Sequence, residues 1–85
     1  MQRTPAQTDK LFTVHGILSK IFEYGEAEAR KQGLKTLHAI REAETIFYNL
    51  RDSGSAETIS AETADFYRKR KFTVKNKGIG YIITI

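Results

Sequence analysis

The apolar residues of this chain keep a three- and four-residue spacing through two long segments and then switch to alternation in the C-terminal stretch KFTVKNKGIGYIITI. The first period belongs to helices that bury one face, the second to strands that bury one side. Both kinds of element must share one core, because 85 residues lie near the lower limit for a fold without staples. A hairpin is marginal in water by itself, so it must lie on the helices or pair with another chain. The sequence therefore predicts an α+β domain: two long helices forming an αα-hairpin, a short third helix and a C-terminal antiparallel β-hairpin.

The first helical stripe is Leu11, Val14, Leu18 and Ile21, widened by Phe12, His15 and Phe22. Thr8 suits the N-cap, which leaves residues 1–7 as a flexible tail ahead of a single domain over 8–85. A strand at KLFTV is the alternative, and the later Leu18/Ile21 repeat argues against it. Two stops compete. Gly25 precedes the acids Glu26 and Glu28, whereas Gly33 follows Arg30 and Lys31 and precedes the apolar Leu34 that a Schellman end favours. The second pattern is preferred, so helix one is expected to run to Gly33.

The second helix is expected over 34–51, with Leu37, Ile40, Ala43, Phe47 and Leu50 on one face and RDSGS closing it at Gly54. A polar loop, Asp52 to Ser60, follows, and it contains an echo, SAETI then SAETA. Ser60 reads as the N-cap of a third helix, Ala61 to about Arg70, with Glu62 in its first turn and Ile59 stapled onto Ala64. In the hairpin, Phe72 and Val74 alternate before the turn Asn76-Lys77-Gly78, and Ile79, Tyr81, Ile83 and Ile85 alternate after it.

Composition narrows the function classes. There is no Cys, hence no disulfide framework and no thiolate chemistry, and the default is an intracellular, cytoplasmic protein. The polar start excludes a signal peptide, and the longest uncharged run, Leu11 to Ser19, is about half of a membrane span. No membrane association is expected. His15 lies on the apolar stripe, where a core or interface role is the simpler one, and His38 with Glu42 at i, i+4 makes a poor metal site. GIG at 78–80 links two strands instead of opening a helix, so it is no dinucleotide loop. The expectation is a non-enzymatic protein with no catalytic residues, metal or cofactor.

Charge supplies the remaining signal. Residues 1–64 hold eight Lys/Arg against nine Asp/Glu, while residues 65–85 hold six against Asp65 alone, so the whole net charge of +4 comes from the last quarter. Cations at a helix end and on a strand edge have structural uses. Those uses do not explain why no acid follows Phe66. Tyr67, Arg68, Lys69, Arg70, Lys71, Lys75 and Lys77 are thus the candidate contacts for an anionic partner, nucleic acid first among polyanions. Arg70 lies one turn from Phe66 and Tyr67, so guanidinium and aromatic could flank one anion.

A helix leading directly into a basic hairpin over 60–85 resembles the recognition helix and wing of winged-helix DNA-binding proteins. The resemblance implies that Arg68 and Lys69 face the groove and that Lys75 and Lys77 meet the backbone. In style the chain also looks like small phage and mobile-element proteins, which implies recruitment or inhibition of a partner. That gives the second reading, an oligomeric or host-protein-binding module using Leu11, Phe12, Leu18, Ile21, Phe22, Phe47 and Tyr48 on helices one and two. The two readings are compatible, since a homo-oligomer would multiply the basic surface.

Overall fold

A computed structural model of the protein describes residues 5–85. Its elements are α1 (Pro5–Tyr24), α2 (Glu26–Lys31), α3 (Leu37–Ser53), β1 (Ser55–Ile59), α4 (Ala61–Arg68), β2 (Thr73–Asn76) and β3 (Tyr81–Thr84). The α+β class holds, with four helices and one three-stranded antiparallel sheet in the order β1-β3-β2. Helix α1 starts at Pro5, so Thr8 lies within it and is not its cap. Residues 1–4 of the expected tail lie outside the described residues.

Both competing glycines act, and the preferred one does not end α1. Gly25 takes φ 80° and ψ −146°, a conformation open only to glycine, and starts α2. Gly33, at φ 95°, closes α2 in a Schellman motif: its N–H donates to Arg30 C=O at 3.1 Å and Leu34 N–H to Ala29 C=O at 2.7 Å. The early break lies in the backbone that Gly25 adopts, which redirects the chain after Tyr24. Folding back at Gly25 keeps Ala29 and Leu34 fully buried.

Helix α3 is capped by Thr36, whose hydroxyl accepts from Ala39 N–H, and ends at Gly54 in the left-handed conformation. It buries Ile40, Ala43, Phe47 and Leu50 as its spacing predicts, while Leu37 is exposed at the first turn. The expected loop from Asp52 to Ser60 is instead occupied by β1, the strand on which the hairpin pairs. Ala56 and Val74 both face Ile83 across the central strand, and Ile83 is fully buried. Gly80 permits this approach: a Cβ there would stand 3.2 Å from Ile59 N and Thr58 Cα. Ile79, expected on the buried alternation, is 88 % exposed. Lys77 N–H donates to Gly80 C=O at 2.8 Å and leaves Ile79 at the hairpin tip.

The echo of SAET takes two structures. In the first copy Ser55 pairs with Thr84 and Ala56 with Ile83, and a bulge before Ile59 carries Thr58 at φ 62°. In the second, the Ser60 hydroxyl accepts from Thr63 N–H at 3.4 Å and donates to Thr63 Oγ1 at 3.1 Å, opening α4. Neighbours decide the outcome: Gly54 has just ended a helix before the first copy, and Ile59 has just entered the core before the second. Ser60→Ala should therefore cost about 1 kcal/mol, and Ser55→Ala should stay within about 0.5 kcal/mol. Urea unfolding of the two variants checks this, and equal losses would contradict it.

Candidate functional site

The cationic segment begins at the end of α4, where the chain turns from helix to strand. Tyr67 does not belong to its surface. The side chain is fully buried, its hydroxyl donates to Ala43 C=O of α3 at 2.7 Å, and its ring meets Phe66 and Phe72 edge-on at 5.3 and 5.2 Å. Burial pushes the phenol well above its usual range, with Arg70 opposing. The sequence placed Tyr67 beside an anion; the aromatic periodicity that suggested this is core periodicity.

Arg70 is also largely committed to the fold. Its guanidinium lies 3.7 Å from the Phe66 ring centre, Nη1 donates to Phe66 C=O at 2.8 Å and Nη2 to Gln32 Oε1 at 3.1 Å. Burial lowers its pKa. The cation–aromatic pairing expected around a ligand is thus made within the chain, and it ties α4 to α2.

The other cations remain at the surface, three of them beside carboxylates. Asp65 Oδ1 stands 3.8 Å from Arg68 Nη1 and Asp65 Oδ2 stands 3.2 Å from Lys69 Nζ. Glu57 of β1 lies 3.6 Å from Lys77 Nζ. Lys71 and Lys75 are exposed with no carboxylate at salt-bridge distance among the described residues. Lys71 sits at φ 69°, a position glycine usually fills, and its carbonyl accepts from Lys10 Nζ at 2.7 Å. Val74 faces the core side of the sheet with Ile83, so Lys75, one residue on, faces solvent. The cations at the end of α4 and those on the hairpin therefore belong to different layers. With β1 between α3 and α4, the two helices do not form a helix-turn-helix.

A second surface lies along α1 and α3. Leu11, Leu18, Ile21 and Phe47, expected at an oligomer interface, are all buried in the chain's own core. They are consumed because α1 packs on α3 and the sheet closes the other side. Phe12 is 68 %, Phe22 42 % and Tyr48 42 % exposed. Phe22 and Tyr48 border a groove of about 50 Å³ between α1 and α3, lined also by His15, Leu18, Ser19, Glu44 and Phe47. The His15 ring stacks on Phe47 at 5.0 Å and 28°, Tyr48 meets Phe47 edge-on at 5.4 Å, and Arg51 lies 4.9 Å from the Tyr48 ring centre. Glu44, Tyr48 and Arg51 share one side of α3 at helical spacing, a signal that an apolar stripe does not carry.

Titratable groups elsewhere act as connectors. Glu42 Oε1 accepts from Ser60 N–H at 2.7 Å while Oε2 lies 3.5 Å from His38. Among the described residues no group of three or more His, Cys, Asp or Glu is placed to hold a metal ion. Nor, among them, is any helix long and apolar enough to cross a membrane. Compared with protein-family models, curated proteins and solved structures, the chain matches none.

The buried phenol gives a pH dependence with a definite sign. In the unfolded chain Tyr67 loses its proton near pH 10, whereas the folded chain holds the proton to higher pH, so stability is present below about pH 10 and falls as pH rises beyond it. Tyr67→Phe should cost about 1–2 kcal/mol at neutral pH, because Ala43 C=O loses this donor. The same variant should lose less stability than the parent between neutral and strongly alkaline pH. Parallel alkaline slopes in thermal melts would overturn this assignment.

Proposed function

We propose that this protein is a binding module that acts by protein–protein association, with the aromatic face of α1 and α3 as its working surface. The observation that carries the reading is the exposure of Phe12, Phe22 and Tyr48 in a fold whose core is already filled by other residues. Single exposed apolar residues are ordinary, but aromatics gathered around one groove are typical of interfaces. The Arg51 guanidinium over Tyr48 adds the other residue type that dominates binding energy in such sites. A blocking or recruiting protein needs only such a surface.

Binding of an anionic partner by the C-terminal segment is the second reading, favoured by Lys71 and Lys75. Both stand clear of carboxylates among the described residues, and Lys71 holds a left-handed backbone position that glycine would occupy at lower cost. Arg68 and Lys69 could join them, since exposed ion pairs are worth at most about 1 kcal/mol and yield to a phosphate. Four such contacts on duplex DNA give a logarithmic salt slope of about −3.6.

A photo-crosslinking phenylalanine analogue placed at Phe12, and separately at Lys75, distinguishes the two in the native cell. Protein cross-links from position 12 are the expected result. Nucleic acid cross-links from position 75, with no protein captured from position 12, would overturn the first reading in favour of the second.

A further inference from the structure

The groove between α1 and α3 holds a carboxylate that the chain does not answer. Glu44 is half-buried on α3 and lines the groove with Phe22, Tyr48, His15 and Phe47. Among the described residues it makes no hydrogen bond and no ion pair. Glu42, two residues earlier and also half-buried, shows the contrast: Ser60 N–H donates to it at 2.7 Å and His38 lies 3.5 Å away. Taking a carboxylate partly out of water without a partner costs free energy that a matching cation offsets. Neighbouring cations on α3 do not supply it. Arg41, one turn before Glu44, is exposed and beyond salt-bridge distance, and Arg51 is engaged by Asp52 at 2.9 Å and by the Tyr48 ring. We propose that this groove receives an arginine side chain of a partner protein, its guanidinium paired with Glu44 and bordered by Phe22 and Tyr48.

This rests on the reading that the aromatic face of α1 and α3 is the working surface, and it adds the chemistry of what anchors there. Aromatic rings beside one carboxylate suit a cation, because ring faces attract positive charge and the acid neutralises it. Guanidinium fits better than ammonium: it is flat, stacks on rings and presents parallel N–H groups to a carboxylate, whereas ammonium is compact and strongly hydrated. The size of the groove agrees. At about 50 Å³ it takes the end of one side chain, and it is far below the roughly 300 Å³ at which pockets for drug-sized ligands begin. Charge balance agrees as well. The positive excess lies in residues 65–85, whereas residues 1–64, which supply both walls, hold eight Lys/Arg against nine Asp/Glu.

Capped tripeptides with arginine, citrulline or lysine between two glycines test this, read by nuclear magnetic resonance of the Phe22 and Tyr48 ring signals. Citrulline keeps the shape of arginine without its charge. The arginine peptide should shift both rings to saturation, and the citrulline peptide should bind about tenfold more weakly. Glu44→Gln, which keeps the size of the side chain, should lower affinity for the arginine peptide by a similar factor with the thermal melt retained. Citrulline binding as tightly as arginine, lysine binding more tightly, or an arginine response indifferent to Glu44→Gln overturns the proposal. The cross-linking analogue at position 12, outside the groove lining, reads the broader surface separately. Glu44→Gln should reduce the protein captured there. Capture that persists unchanged overturns the arginine anchor while the association reading stands, and so does capture of a second copy alone. If the parent chain captures no protein, both fail.

Discussion

The contact between α3 and α4 is the constraint on which the other elements depend. Thr63 and Tyr67, one helical turn apart on α4, donate to Ala39 and Ala43 carbonyls, one turn apart on α3, at 3.4 and 2.7 Å. Small side chains at Ala39 and Ala43 let the two backbones approach closely enough for this. Carboxylates from both helices pin the N-terminal end of the pair: Glu42 of α3 holds Ser60 N–H at the start of α4, and Glu62 of α4 holds Lys35 N–H ahead of α3. Each is a charge-assisted hydrogen bond to a backbone donor near a helix start. Since β1 joins α3 to α4 and β2 follows α4, fixing this pair also fixes both outer strands for β3 to fill.

That arrangement decides which residues remain for function. Tyr67 and Arg70 are drawn inward to secure α4, and Asp65 and Glu57 stand beside Arg68, Lys69 and Lys77. Positive charge that is concentrated in sequence is therefore divided in space between a helix end and the outer side of a sheet. On the opposite flank, among the described residues, no element covers the groove edge formed by Phe22 and Tyr48, and Phe12 is also exposed. The reading as an association module follows from this difference between a surface answered from within and one left open.

The helices and hairpin were legible because their signals are local. Gly54 closes one helix and Ser60 caps another as expected, and Ile40, Ala43, Phe47 and Leu50 fall on the core at helical spacing, whereas the cap at Thr36 lies inside the expected span of 34–51. Strand β1 was not legible. Its residues SAETI include two polar side chains and an acid, and nearly the same letters open α4, so only pairing with Ala56 and Ile59 in register identifies it as a strand. The break at Gly25 depends on the chain turning back to bury Ala29 and Leu34, which periodicity along one helix does not carry. For the candidate sites, sequence spacing located the exposed Phe12, Phe22 and Tyr48 but could not separate them from the buried Leu11, Leu18, Ile21 and Phe47, because burial depends on what packs from elsewhere.

The account rests on the proposed reading that the exposed aromatic face of α1 and α3 is where the chain meets another protein. Nuclear magnetic resonance of the ring- and amide-labelled chain, free and in extract of the native cell, tests this most directly. The account predicts that the Phe22 and Tyr48 ring signals broaden while the Lys71 and Lys75 amides stay sharp. Broadening confined to the Lys71 and Lys75 amides would contradict it.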